Sequence, residues 1–140
     1  MNVFIKNKFY LCNLEFDTKI SKLEIIGKEN KQFNYVIPRY FDPHTHGGYG
    51  IDFNQIDAYS SNQIEEFIKK EKQEGLQNIF ITTVTDSLQR LTEIGLVINE
   101  LCKKYPFFAG WHLEGPFISK DKCGAHNQEL IIPLNEEFLK

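Results

Sequence analysis

Residues 78–84 read Asn-Ile-Phe-Ile-Thr-Thr-Val, a short run of aromatic and β-branched residues that is typical of a buried strand. Helical periodicity flanks this run on both sides, beginning after Ser60 and ending at Pro106. Further apolar strands are predicted at 35–42 and 107–114. Strand, helix, strand, helix and strand in this order predict parallel βαβ units, and therefore an α/β fold.

The ends of the two helices are marked by local signals. Ser60 and Gln63 have the spacing of a capping box, and Gly75 lies where a C-terminal glycine stop is expected. Asp86 or Ser87 caps the second helix. Residues 1–34 differ, because short extended runs alternate with turn residues and predict a small antiparallel sheet.

The composition limits the classes of protein to which the chain can belong. Its 140 residues, 41% of them hydrophobic and 25% charged, are enough for one globular core. The net charge is 16 − 19 = −3, which argues against nucleic acid or a membrane as the main partner. Cys12, Cys102 and Cys123 are far apart and odd in number, so a disulfide framework is not expected. We expect a soluble, cytoplasmic protein.

Candidate metal ligands lie at two predicted strand ends. His44 and His46 are separated by one residue, so strand alternation places both on one face, either as a ligand pair or as two half-buried polar residues. Asp42 lies one step back and either orients a histidine or forms a turn before Pro43. Glu114 ends the third strand, where inward-pointing side chains of a parallel barrel can meet.

Other polar residues near these strand ends have simpler interpretations. We assign His112 to packing, although it shares the face of Glu114, and Trp111 to the core against a helix. His126 lies in a polar loop, where a histidine is normally solvated. Cys123 has no base at a readable spacing and is expected to be inert.

Three runs together resemble N-acetylglucosamine-6-phosphate deacetylase, of the amidohydrolase superfamily. They are Asp42-Pro-His-Thr-His-Gly-Gly-Tyr-Gly-Ile-Asp, His112-Leu-Glu-Gly-Pro-Phe and Gly124-Ala-His-Asn, in this order and spacing. The second and third runs are specific, whereas an HxH motif alone fits many amidohydrolases. The resemblance covers nearly the whole chain but only the N-terminal part of the family's length.

The resemblance implies the fold and the chemistry. It implies a (β/α)8 barrel with a small β-domain, so residues 1–34 would be a β-domain segment and 35–140 an incomplete barrel of about three βα units. It implies a divalent metal, Zn or Fe, that activates water to cleave the N-acetyl amide of a sugar phosphate, N-acetylglucosamine 6-phosphate. Glu114, His44 and His46 would be the metal ligands, and His126 with the backbone of Ala125 would bind substrate.

The family's other ligand histidines, its phosphate-binding residues and its catalytic aspartate would lie beyond residue 140. We therefore expect an N-terminal portion of such an enzyme, truncated and inactive alone, whose open sheet edges favour pairing with a downstream fragment or homo-oligomerisation. One alternative is a non-catalytic remnant that serves as a metal-binding or interaction module. Another is a dihydroorotase-like amidohydrolase that shares only the HxH motif.

Overall fold

The computed structural model describes residues 1–138, which form two compact units that divide between Arg39 and Tyr40. The first unit is a four-stranded sheet in the order β3-β2-β1-β4. Its strands are β1 (Asn2–Ile5), β2 (Lys8–Phe16), β3 (Ile20–Lys28) and β4 (Tyr35–Val36). The first three strands pair antiparallel, as the sequence predicts, whereas β4 pairs parallel with β1.

Two local features shape this sheet. Lys6 and Asn7 have φ values of 47° and 67°, which match the two-residue turn that follows the natural twist of a hairpin. The buried Asn2 side chain donates to the carbonyl oxygens of Asn30 and Phe33 at 2.8 and 2.9 Å. These hydrogen bonds hold the chain that leads into β4.

The second unit contains the parallel strands β5 (Tyr40–Thr45), β8 (Leu76–Thr83) and β9 (Phe108–Leu113), in the order β5-β8-β9. A short hairpin, β6 (Gly47–Gly48) with β7 (Ile51–Asp52), follows β5. All pairs within the three-stranded sheet are parallel. The predicted α/β fold class is confirmed.

The single strand predicted at 35–42 is wrong. The structure divides it into β4 and β5, which belong to different sheets. Pro38 lies between them, and a proline has no N–H group to donate to a ladder. The first parallel strand therefore begins at Tyr40 and extends to Thr45, so it includes His44.

Both helices begin where the sequence predicts. Helix α1 (Ser61–Gln73) starts with a complete capping box between Ser60 and Gln63, and Gly75 follows its end with φ of +100°. Helix α2 (Leu88–Lys104) is capped by Ser87, whose hydroxyl accepts from the N–H of Arg90. Short 3₁₀ helices cover Phe53–Ala58, Lys120–Lys122 and Gln128–Leu130.

The core of the second unit lies between the sheet and the two helices. Its fully buried apolar side chains come from every layer: Phe53, Ile56, Ile64, Phe67, Ile79, Ile81, Leu91, Ile94 and Ile98. Thr82 and Thr83 of β8 are fully buried as well. Trp111 packs on this core, and its ring lies against Gly95 of α2, as expected for a strand residue that faces a helix. Within residues 1–138, no helix combines the length and apolarity needed to cross a membrane.

Candidate metal centre

Two histidines and one glutamate converge at the carboxyl ends of β5 and β9. The Nε2 atoms of His44 and His46 are 3.1 Å apart. Glu114 Oε2 lies 3.1 Å from the first and 3.0 Å from the second. These three groups could hold a metal ion, because their ligand atoms all lie within 4.8 Å of one another. His44 and His46 therefore lie on the same face, as strand alternation predicts. The sheet brings Glu114, which is distant in sequence, to the same point.

Backbone hydrogen bonds position two of the three side chains, those of Glu114 and His46. The Glu114 N–H donates to the carbonyl of Thr83 at 3.0 Å, which extends the β8–β9 ladder by one step. After the hairpin, the N–H of buried Phe53 donates to the His46 carbonyl at 3.0 Å. Gly47 permits this tight return, since a Cβ there would lie 2.1 Å from the Ile51 carbonyl oxygen.

The donor set fits a divalent transition metal. A tetrahedral zinc site with bonds of about 2.05 Å places neighbouring ligand atoms about 3.3 Å apart. The observed separations of 3.0–3.1 Å are close to that edge length. The His44, His46 and Glu114 side chains are 48%, 43% and 31% exposed, so solvent and a small ligand can reach them. Imidazole nitrogens suit Zn, Fe, Ni and Cu, and a carboxylate oxygen can complete such a donor set.

The electrostatics of Glu114 favour its charged form. Burial raises the pKa of this carboxyl, but the hydrogen bond from His44 and the charges of His44, His46 and His126 outweigh burial and lower it. Glu114 is therefore an anion at neutral pH. An anionic carboxylate between imidazoles is the form that binds a cation.

Two neighbouring polar residues do not join the cluster. The Asp42 carboxylate accepts the backbone N–H of His44 at 2.9 Å, so it forms the local turn and does not orient an imidazole. His112 lies with its Nδ1 3.2 Å from the Thr82 hydroxyl, and its ring packs edge-on against His44 at 4.7 Å between centroids. These contacts support a packing role for His112.

The loop after β9 closes one side of a cavity of about 630 Å³ over the cluster. The cavity is lined by His46, Val84, Glu114, Lys122, Cys123, Gly124, Ala125 and His126. His126 is only 10% exposed, so it is not the solvated loop histidine that its position predicts. Its Nε2 lies 3.6 Å from Glu114 Oε1. Ala125 and His126 thus share one cavity with the candidate ligands His46 and Glu114. Cys123 also lines this cavity but is only 6% exposed.

Sequence reasoning missed Thr85. This buried residue follows β8, and both its N–H and its hydroxyl contact His126 Nδ1, at 3.2 and 2.7 Å. A threonine after a strand carries no signal of function in a single sequence. Only the fold, which brings the loop back across the end of β8, reveals the contact.

The parallel sheet and the histidine–glutamate cluster at its carboxyl edge define a class: an α/β chain with a cluster of candidate metal ligands at the carboxyl edge of its sheet. No family model matches the chain. It is 30% identical, over an alignment of 116 residues that covers 75% of this chain, to an N-acetylglucosamine-6-phosphate deacetylase of Bacillus subtilis (strain 168). It is 32% identical over 97 residues to an N-acetylgalactosamine-6-phosphate deacetylase of Escherichia coli O157:H7, which covers 67% of this chain.

Comparison with a solved structure shows similarity to the same kind of deacetylase. The N-acetylglucosamine-6-phosphate deacetylase of Thermotoga maritima superposes with a TM-score of 0.76 and 30% identity, covering 99% of this chain and 37% of that one. The chain is therefore a homologue of the N-acetylglucosamine-6-phosphate deacetylases, as its sequence motifs predict. It spans 27% and 25% of the length of the two curated relatives.

Proposed function

We propose that residues 1–140 provide the metal-binding and acetyl-binding part of a deacetylase that hydrolyses the N-acetyl amide of N-acetylglucosamine 6-phosphate. The observation that carries this proposal is the convergence of His44, His46 and Glu114 within 3.1 Å, next to a cavity that His46 and Glu114 line together with His126. The products would be glucosamine 6-phosphate and acetate, as in amino-sugar breakdown. The likeness to N-acetylglucosamine-6-phosphate deacetylases favours this activity over that of a dihydroorotase-like enzyme.

Each residue of the cluster has a role in this proposal. A divalent metal, Zn or Fe, would supply Lewis-acid chemistry that activates water and polarises the amide carbonyl. His44 and His46 would hold the metal with neutral nitrogens, and the Glu114 carboxylate would offset part of its charge. His126 and the backbone of Ala125, which line the same cavity as Glu114, would contact the acetyl group. A hydrogen-bond donor at that position stabilises the oxyanion that develops on the carbonyl oxygen.

We also propose that the polypeptide of residues 1–140 has no activity alone. Among the cavity-lining residues that the structure describes, Glu114 is the single carboxylate, and the proposal commits it to the metal. No second carboxylate there can carry a proton to the leaving amine. General acid–base help of this kind is worth about 10²- to 10⁴-fold in rate.

A binding experiment tests the site without requiring turnover. N-acetylglucosamine 6-phosphate, added to the zinc-loaded polypeptide, should shift the NMR resonances of Ala125 and His126, whereas glucosamine 6-phosphate should shift them much less. N-acetylgalactosamine 6-phosphate tests whether the site distinguishes the two epimers. Equal shifts with the acetylated and deacetylated sugars would contradict the acetyl-binding role. The alternative of a non-catalytic metal-binding module would then be favoured.

An acetate-release assay tests the proposed inactivity. With Zn or Fe added, residues 1–140 should release acetate from N-acetylglucosamine 6-phosphate at the rate of the protein-free blank. A matched preparation of Glu114→Gln should give the same rate. Metal-dependent turnover by the unmodified polypeptide that Glu114→Gln abolishes would show that another residue serves as the base.

Pairing with a further polypeptide or with a second copy remains our proposal for the sheet edges. In the described residues, β5 and β9 each pair with β8 alone and leave one edge open. Tyr40 and Phe41 on β5 are exposed. Open parallel edges with apolar side chains favour association. Light scattering on the purified polypeptide should show a species larger than the 16.4 kDa monomer.

A further inference from the structure

The contacts of Thr85 determine which nitrogen of His126 carries the proton. The backbone N–H of Thr85 points at His126 Nδ1, with 3.2 Å between the nitrogens, and the hydroxyl oxygen lies 2.7 Å from the same atom. A backbone N–H can only donate, so Nδ1 must accept. In a neutral imidazole, the proton is then on Nε2.

We propose that Thr85 is a positioning residue that holds His126 as the Nε2-protonated tautomer, so that the N–H of Nε2 faces the cavity. Nε2 already points toward Glu114 Oε1, at 3.6 Å. This inference rests on the proposed function only for the partner of this N–H, which in that function would be the acetyl carbonyl oxygen of the substrate. The opposite tautomer would present a lone pair to that oxygen and repel it.

The fold holds Thr85 in place from two sides. The Asn54 side chain accepts the Val84 N–H at 2.8 Å and donates to the Val84 carbonyl at 3.2 Å, which fixes the peptide just before Thr85. On the other side, Gly115 leaves room for the hydroxyl. A Cβ at Gly115 would lie 2.0 Å from Thr85 Oγ1. A side chain at position 115 would therefore displace the Thr85 hydroxyl.

The position after Glu114 in the Glu114-Gly-Pro run therefore requires glycine, because a side chain there would clash with Thr85. Its φ is +88°, a conformation that residues with a Cβ rarely adopt. One glycine thus permits both the turn after the glutamate and the contact that orients His126. The proposed tautomer is built by residues from three separated parts of the chain.

Nitrogen NMR of the imidazoles tests the tautomer directly, with the polypeptide of residues 1–140 and no metal or sugar added. Once His126 is neutral, its Nδ1 should resonate as an acceptor nitrogen and its Nε2 as a protonated one. In Thr85→Val, which removes the hydroxyl but keeps the backbone N–H, the Nδ1 resonance should move toward that of an acceptor without a hydrogen bond. Thr85→Ser should restore the original position. Thr92→Val is the matched control, because the Thr92 hydroxyl bonds within α2 to the Leu88 carbonyl.

The outcomes separate this inference from the proposed function. A proton on Nδ1 of the unmodified polypeptide would overturn the inference, whatever the sugar-binding experiments show. An unchanged Nδ1 resonance in folded Thr85→Val would also overturn it. If Thr85→Val does not fold, the unmodified protein and Thr85→Ser still decide the question. Failure of sugar binding with the tautomer confirmed would contradict only the function.

Discussion

Substitution of His46 by alanine should remove most of the stabilisation that zinc gives to this chain. A ligand present at 100 times its Kd stabilises the folded state by about 2.7 kcal/mol. For a chain of this size, that corresponds to a rise in Tm of about 10 °C. We therefore expect zinc, added at 100 times the Kd measured by titration calorimetry, to raise the Tm by this amount.

The position of His46 in the cluster determines how much zinc affinity the substitution should remove. His46 Nε2 is 3.1 Å from His44 Nε2 and 3.0 Å from Glu114 Oε2, so it forms one of three corners of a preformed site. Loss of even a supporting contact to a metal ligand weakens binding 10- to 100-fold, so loss of a ligand should raise the Kd at least about 100-fold. The same zinc concentration would then equal the Kd. The remaining stabilisation would be about 0.4 kcal/mol, a shift of only about 1–2 °C.

The matched control is His112→Asn, because His112 lies on the same face and packs against His44 without joining the ligand cluster. It should lower the Tm of the metal-free protein through loss of the Thr82 contact, yet keep the zinc-dependent rise. Differential scanning fluorimetry measures both. A full zinc response in His46→Ala, or its loss in His112→Asn, would refute the assignment of the ligands.

Three further changes test the stability of the second unit. The hydrogen bond that Arg90 donates lowers the pKa of Asp57, although burial acts in the opposite direction. Asp57→Asn should therefore lower the free energy of unfolding by about 0.5–1 kcal/mol at pH 7, as measured by urea unfolding. It should have no effect once the pH falls below the lowered pKa. Burial and the nearby charge of Asp42 raise the pKa of Glu71. Glu71→Gln should therefore stabilise the protein by at most about 1 kcal/mol at pH 7, and should give no stabilisation below about pH 4. A lower stability of the variant at pH 7 would contradict this prediction. Leu91→Ala removes a fully buried side chain and should cost about 2–5 kcal/mol; a value under about 1 kcal/mol would mean that α2 does not pack as described.

Much of the second unit could be predicted from local sequence alone. The capping box at Ser60 and Gln63, the stop at Gly75 and the serine cap at Ser87 depend on residues within a few positions of each other, so a single sequence contains the whole signal. The spacing of His44 and His46 is local in the same sense. Strand alternation therefore places them on one face before any tertiary contact is known.

The convergence of the site was decided by tertiary structure. Glu114 is separated from His44 by 70 residues, and only the parallel register of β5, β8 and β9 brings the two within 3.1 Å. The motif resemblance predicted this grouping, but no local pattern contains it. Long-range pairing depends on how whole elements pack, and that is a property of the folded chain.

Sequence reasoning failed where a proline and a long-range strand pairing together interrupt a local pattern. The apolar run at 35–42 reads as one strand, yet Pro38 and the pairing of β4 with β1 assign its two halves to different sheets. The sequence by itself determined the helices, their caps and the pair of histidines, because each signal acts over a few residues. Tertiary structure alone decided that His126 packs against Thr85 with only 10% of its side chain exposed, since that contact spans 41 residues and exists only when the loop folds back over the sheet.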